Sequence, residues 1–114
     1  MKKFRIEEDS LGKKFVPINA YYGIETLRAV ENFPISGLRV HPDLIWALAI
    51  IKKACATANL DLKRLEPKRA GAILKAGDEI AAGKLRDQFV TDAFHSGAGV
   101  SLHMSTNEVI ANRA

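Results

Sequence analysis

The chain has 114 residues, of which 47% are hydrophobic and 26% charged, the size and composition of one small globular domain. Its net charge is +4 at pH 7, but the basic residues form scattered pairs with acidic residues between them, which argues against a nucleic-acid-binding surface. No apolar run approaches the roughly twenty residues that span a bilayer, and the N-terminus lacks the apolar core of a signal peptide, so the sequence predicts a cytoplasmic protein without a membrane partner.

The first predicted element is a short β-hairpin over residues 3–17. Phe4 and Ile6 alternate with polar residues, residues 9–12 have turn chemistry, and Pro17 closes the second strand. A short helix is predicted next, because apolar residues recur at helical spacing. That apolar face comprises Ile24, Leu27, Ala29 and Val30.

Two long helices, near residues 43–60 and 67–82, are predicted to pack together. The first is apolar on nearly all sides, which predicts burial on more than one side. Gly77 lies on the apolar stripe of the second, where it would let another helix approach closely, and Gly83 has the position of a C-cap. Cys55, the single cysteine, excludes an intrachain disulfide and is expected to be a buried, unreactive thiol. The main apolar face of the first helix comprises Leu44, Leu48, Ile51 and Cys55.

The last predicted helix follows Gly97-Ala98-Gly99. Small residues allow a backbone to approach a ligand, and the N–H groups at a helix N-terminus can hold an anion. A plain loop with glycines at tight turns is the competing interpretation, and for a lone G-x-G it is the more frequent one. Ser101 is a candidate N-cap, whereas Ser105-x-x-Glu108 would start the helix later as a capping box. We favour the earlier start, because the helical apolar face already begins at Leu102.

The pattern as a whole predicts a mainly α fold with one small N-terminal hairpin, in a single domain. No nucleophile–base pair and no carboxylate pair of clear purpose is present, so no catalytic residue is assigned. His95 and His103 have neither cysteine partners nor the spacing of a metal site on one helix. Each is expected to be a hydrogen-bonding or surface residue, and the sequence predicts no metal and no cofactor.

The closing stretch, GAGVSLHMSTNEVIANRA, resembles the first signature block of the fumarase/aspartase superfamily. The match from Met104 and Asn107 to Ala114 is the most specific part. Residues 5–37 are similar to the opening of the same enzymes, and YYG-x-x-TLRA-x-ENF resembles aspartate ammonia-lyases more than fumarases. The resemblance covers essentially the whole chain.

This resemblance implies that residues 1–114 are the N-terminal domain of a lyase of several hundred residues, truncated by design or in the gene inside the helix that leads to a central bundle. It implies an anti elimination that converts L-aspartate to fumarate and ammonia, in a homotetramer. The catalytic base would lie downstream, so the isolated chain is expected to be inactive. A fumarase-like hydratase and a non-catalytic helical module that binds an anion or a partner are the alternatives.

The resemblance also implies which residues contact the substrate, a small dicarboxylate. They are Gly97, Ala98, Gly99, Val100, Ser101 and His103. Two departures from the family pattern weaken the assignment to aspartate itself: Val100 replaces a threonine, and His103 and Ser105 replace asparagines. We expect backbone N–H groups and His103 to supply the donors that Val100 lacks. Because a longer protein would cover the final helix, Leu102, Val109 and Ile110 are expected to be exposed in this chain.

Overall fold

The computed structural model describes residues 3–96 and 98–114 and contains two strands and four α-helices. The predicted mainly α fold with one N-terminal hairpin is confirmed. No helix in the described part of the chain is long and apolar enough to cross a membrane. The elements are β1 (Phe4–Asp9), β2 (Gly12–Pro17), α1 (Ile24–Asn32), α2 (Pro42–Asp61), α3 (Pro67–Ala81) and α4 (Val100–Arg113).

The hairpin pairs β1 with β2 in an antiparallel register that runs from Phe4 opposite Pro17 to Asp9 opposite Gly12. Asp9 accepts a hydrogen bond from the Leu11 backbone N–H at 2.9 Å, which stabilises the turn. Its carboxylate also accepts two hydrogen bonds from Arg28, at 2.7 and 2.8 Å, and these tie the hairpin to α1. The guanidinium of Arg28 holds the pKa of Asp9 below its usual value. The apolar side of the hairpin faces outward, with Phe4, Ile6 and Phe15 exposed.

The two long helices form the predicted pair. Proline begins both α2 and α3, in the first helical position where its missing N–H costs nothing. A Cβ atom built on Gly77 of α3 would lie 2.5 Å from Cγ of Lys53 in α2, so the glycine does permit the close approach that was predicted. Gly83 follows the end of α3 with a φ of +89°, a conformation that favours glycine at a helix C-terminus.

The predicted burial of α2 is wrong in two respects. Its buried face consists of Ile45, Ala49 and Ala56, and Cys55 is exposed rather than buried. The outer side of the helix is not covered by the rest of the chain. This difference arises because α2 is apolar on nearly every side, so hydrophobic spacing alone does not show which side packs against α3 and α4. The large apolar residues left exposed are Leu44, Trp46, Ile50 and Ile51.

The expected exposure of α4 is also wrong. Leu102, Val109 and Ile110 are 1%, 0% and 5% exposed. Helices α1, α2 and α3 all contact α4, so the chain itself covers these side chains. The helix therefore closes the core of this domain. That core comprises Val40, Ile45, Ala49, Ala76, Ile80, Phe89, Leu102, Val109 and Ile110.

Candidate functional site

The N-terminus of α4 has the features of an anion-binding site. Gly99 occupies the N-cap position with φ +73°, in the left-handed region that glycine adopts without strain. The first intrahelical hydrogen bond runs from the His103 N–H to the Gly99 carbonyl at 3.1 Å. No side chain caps the helix among the residues that the structure describes. The N–H groups of Val100 and Ser101 therefore have no intrahelical acceptor, and they form the positive pole of the helix dipole.

Five of the six predicted substrate residues lie in or directly before the first turns of α4. Gly97 lies outside the described residues. Ala98 precedes the cap, and Val100 is 54% exposed, so its apolar side chain is open to the surroundings. The predicted early helix start is confirmed, but the N-cap is Gly99, and Ser101 lies inside the first turn.

Asp92 forms hydrogen bonds that fix the segment preceding α4. Its carboxylate accepts hydrogen bonds from the backbone N–H groups of Phe94 at 2.9 Å, Ser36 at 2.9 Å and Gly37 at 2.8 Å, and from the Ser36 hydroxyl at 2.8 Å. These bonds, with that from Phe94 foremost, lower the pKa of Asp92 to about 2. Sequence reasoning missed this residue, although an aspartate that accepts from the N–H two residues later is a common turn signal.

Four buried polar side-chain atoms in residues 91–96 and 105 have no hydrogen-bond partner in the described part of the chain. His95 and Ser96 come directly before the loop, and Ser105 lies one turn beyond Ser101 in α4. A buried polar group without a partner costs about 1–3 kcal/mol, so such groups are few in folded proteins and each calls for an explanation. Three of the four residues precede α4 in sequence, and the fourth lies in its second turn. The atoms are Thr91 Oγ1, His95 Nδ1, Ser96 Oγ and Ser105 Oγ.

Lys52, which the sequence did not single out, contacts the predicted substrate residue His103 in the structure. Its Nζ lies 2.8 Å from Nδ1 of His103, which joins α2 to α4 across 51 residues of sequence. This confirms His103 as a hydrogen-bonding residue, whereas His95 is buried with Nδ1 unpartnered. No sequence pattern predicts the pair, because the two residues meet only through the packing of their helices. Within residues 3–96 and 98–114, no group of three or more His, Cys, Asp or Glu side chains is placed to hold a metal ion.

Comparison with known proteins identifies the family. Residues 12–114 match the family model described as Lyase. The chain belongs to this lyase family.

Two groups of lyases are similar to the chain at nearly the same level. An aspartate ammonia-lyase from Bacillus subtilis is 54% identical over 113 residues, which cover 99% of this chain and 24% of that enzyme. A class II fumarate hydratase from Halobacterium salinarum is 51% identical over 111 residues, which cover 97% of this chain and 24% of that enzyme. The lyase chain thus spans about a quarter of the length of these relatives.

Solved lyase structures show the same fold. A fumarate lyase:delta crystallin from Brucella melitensis, in native form, is 52% identical and superposes with a TM-score of 0.94 over 96% of this chain and 26% of that chain. A class II fumarase from Schistosoma mansoni is 35% identical, with a TM-score of 0.93 over 96% of this chain and 23% of that one. The domain is therefore the fumarase/aspartase-like N-terminal domain that the resemblance implied.

In this lyase domain, the most specific part of the signature block has a structural role. Glu108 accepts hydrogen bonds from the start of α1, and Asn112 donates to the Tyr21 carbonyl at 2.6 Å. Arg113 donates two hydrogen bonds to the carboxylate of Glu79, at 2.8 and 2.9 Å, which raise the pKa of Arg113 above its usual value. The second half of α4 therefore holds α1 and α3 together.

Proposed function

We propose that the chain is the N-terminal part of an aspartate ammonia-lyase-like enzyme, which reversibly eliminates ammonia from L-aspartate to give fumarate. Membership of the lyase family supports the elimination chemistry. The 54% identity to the Bacillus subtilis aspartate ammonia-lyase supports the choice of substrate. The observation that carries the proposal is the N-terminus of α4 behind Gly99, where no side chain in the described part of the chain caps the helix, so that its N–H groups can be offered to a carboxylate.

The proposed role of this site is to bind one carboxylate of a small dicarboxylate. When a proton leaves the carbon beside a carboxylate, negative charge develops on that carboxylate. Donors fixed in place before the reaction stabilise this charge, because they need no reorganisation. Ala98 and Gly99 would allow close backbone approach, Ser101 would supply a backbone N–H group, and His103 would supply a side-chain donor. Val100 presents only methyl groups, so it would donate through its backbone alone.

The groups that complete the reaction are proposed to lie outside this chain. None of the residues 1–114 is proposed as the base that removes the proton. The complete enzyme is proposed to be a cytoplasmic homotetramer that needs no cofactor, and the 114-residue chain alone is proposed to be inactive. Removing the members of a catalytic unit leaves little of its rate enhancement.

A fumarate hydratase that interconverts malate and fumarate is the second candidate. Its support is the 51% identity to the Halobacterium salinarum enzyme, which is close to the 54% identity to the aspartate ammonia-lyase. Both candidates bind a four-carbon dicarboxylate, so they share the site at α4. They differ in the leaving group, which is ammonia for aspartate and water for malate.

The test starts from the gene. Sequencing past the codon for Ala114 shows whether the reading frame continues, and the complete polypeptide is then assayed for fumarate formation from L-aspartate and from L-malate. We expect fumarate from L-aspartate. Faster formation from L-malate would favour the hydratase, and formation from neither would refute both. Purified residues 1–114 serve as the control, and fumarate production by them would contradict the proposed inactivity.

A further inference from the structure

The contact between Lys52 and His103 determines which nitrogen of the imidazole carries the proton. A lysine ammonium has three donors and no acceptor. At 2.8 Å from Lys52 Nζ, Nδ1 of His103 must therefore accept the hydrogen bond and carry no proton. The proton of the neutral ring is then on Nε2. We propose that Lys52 is a positioning residue for His103, which fixes this tautomer so that Nε2–H is offered as a donor at the start of α4.

The two residues lie near the start of α4, where a fixed donor could contact the proposed carboxylate. His103 lies one helical turn after Gly99, and side chains on a helix lean toward its N-terminus, so the ring lies on the turn that carries the free N–H groups. Lys52 is half-buried on α2, His103 is exposed, and their contact lies at the surface. The second nitrogen of the ring thus adds one fixed donor to the donors of the backbone.

The charge of Lys52 has the same sign as the helix pole. Lys53, its neighbour, forms an ion pair with Asp78, whereas no carboxylate in the described residues lies within ion-pair distance of Lys52. The positive charge of Lys52 therefore adds to that of the α4 N-terminus. A hydrogen-bond acceptor with negative charge, such as a carboxylate, is favoured beside His103, and an ammonium group is disfavoured. This last step rests on the proposed function.

The tautomer can be measured directly in the 114-residue chain by NMR of its ring nitrogens. The chain is labelled with ¹⁵N-histidine and recorded at about pH 8, where an ordinary imidazole is neutral. The His103 signals are assigned by their loss in His103→Gln. We expect Nδ1 of His103 to resonate as an unprotonated, accepting nitrogen and Nε2 as a protonated one. A protonated Nδ1 of His103 in the unmodified chain would overturn the proposal.

Three variants distinguish a specific effect of Lys52 on the tautomer of His103 from a general effect of positive charge on α2. Lys52→Met removes the donor, and we expect the Nδ1 resonance to move toward the average of the two tautomers. Lys52→Arg keeps a donor and should restore the original resonance, and Lys53→Met removes a charge next in sequence and should leave it unchanged. Identical Nδ1 resonances in the unmodified chain and in Lys52→Met would overturn the assignment of Lys52.

Fumarate is the probe for the step that rests on the proposed function. Its addition should perturb the Nε2 resonance of His103 in the unmodified chain. If Nδ1 behaves as expected but fumarate perturbs nothing, the carboxylate site is refuted while the role of Lys52 toward His103 stands.

Discussion

Oε1 of Glu108 lies 2.6 Å from the hydroxyl of Thr26 and 2.8 Å from the Thr26 backbone N–H. The other oxygen of the same carboxylate accepts from the Glu25 backbone N–H at 3.0 Å. A residue of α4 thus caps the N-terminus of α1, in the position where a helix dipole favours negative charge. The pKa of Glu25 is raised chiefly by partial desolvation and by the carboxylate of Asp9, and Glu108 adds a smaller contribution in the same direction.

Glu108→Ala should destabilise the domain. It leaves the hydroxyl and N–H of Thr26, a fully buried residue, without their acceptor. We expect a loss of about 2–3 kcal/mol in the free energy of unfolding, since a bond to a charged group contributes about 1.5–3 kcal/mol. Glu66→Ala is the control, because Glu66 is exposed and caps no helix with its side chain. Urea unfolding measures both, and equal stabilities would show that the Glu108 contacts contribute nothing.

The free energy of unfolding should depend on pH through the ionisation of Asp92. Its pKa falls from 3.8 to about 2 on folding, so the folded chain binds fewer protons there than the unfolded chain. The stabilisation is therefore complete above about pH 4 and is lost as the pH falls through the window between the two values. Asp92→Asn should be less stable than the original chain at neutral pH and should show a shallower fall in this window. Asp61→Asn, at an exposed position, is the control in denaturant unfolding at several pH values.

Much of this fold is predictable because its signals are local. Proline marks the start of both α2 and α3, Gly83 follows the end of α3, and the helical spacing around Gly77 indicates the close packing that the structure has. The orientation of α2 is not predictable, since apolar residues surround the helix. The contacts of Lys52 with His103 and of Glu108 with α1 are also absent from any sequence pattern. They join residues 51 and 82 positions apart, and only the packing of the core brings them together.

Two glycines in α3 should respond differently to alanine. A Cβ atom on Gly71 meets nothing within 4 Å, so Gly71→Ala should stabilise the chain by about 0.5–1 kcal/mol through helix propensity. A Cβ atom on Gly77 meets the side chain of Lys53, and overpacking of this kind costs about 1–3 kcal/mol. Gly77→Ala should therefore be neutral or destabilising. Thermal unfolding of the two variants distinguishes the cases, and equal gains would show that α2 moves aside without cost.

Fumarate should bind the 114-residue chain at the start of α4, even without catalysis. We expect its addition to shift the backbone N–H resonances of Val100 and Ser101 in a ¹⁵N spectrum, because these groups lack intrahelical acceptors. Added salt should weaken the shifts, since ions screen exposed charges. Fumaramide is the matched uncharged probe and should leave both resonances in place. Equal shifts with fumarate and fumaramide would contradict an anion site.

Two substitutions test which side chains donate hydrogen bonds to fumarate at this site. His103→Ala should weaken fumarate binding, because it removes the one side-chain donor proposed for the site. The loss of a hydrogen bond to a charged group corresponds to about 1.5–3 kcal/mol, or roughly 10- to 150-fold in the dissociation constant. Val100→Thr should be tolerated or should bind slightly tighter, since a hydroxyl of nearly the same shape adds a donor on an exposed side chain. In the complete enzyme, the same His103→Ala change should raise KM for aspartate and lower kcat. If both constants were unchanged, His103 would have only a structural role, and the backbone N–H groups alone would have to replace the hydroxyl that Val100 lacks.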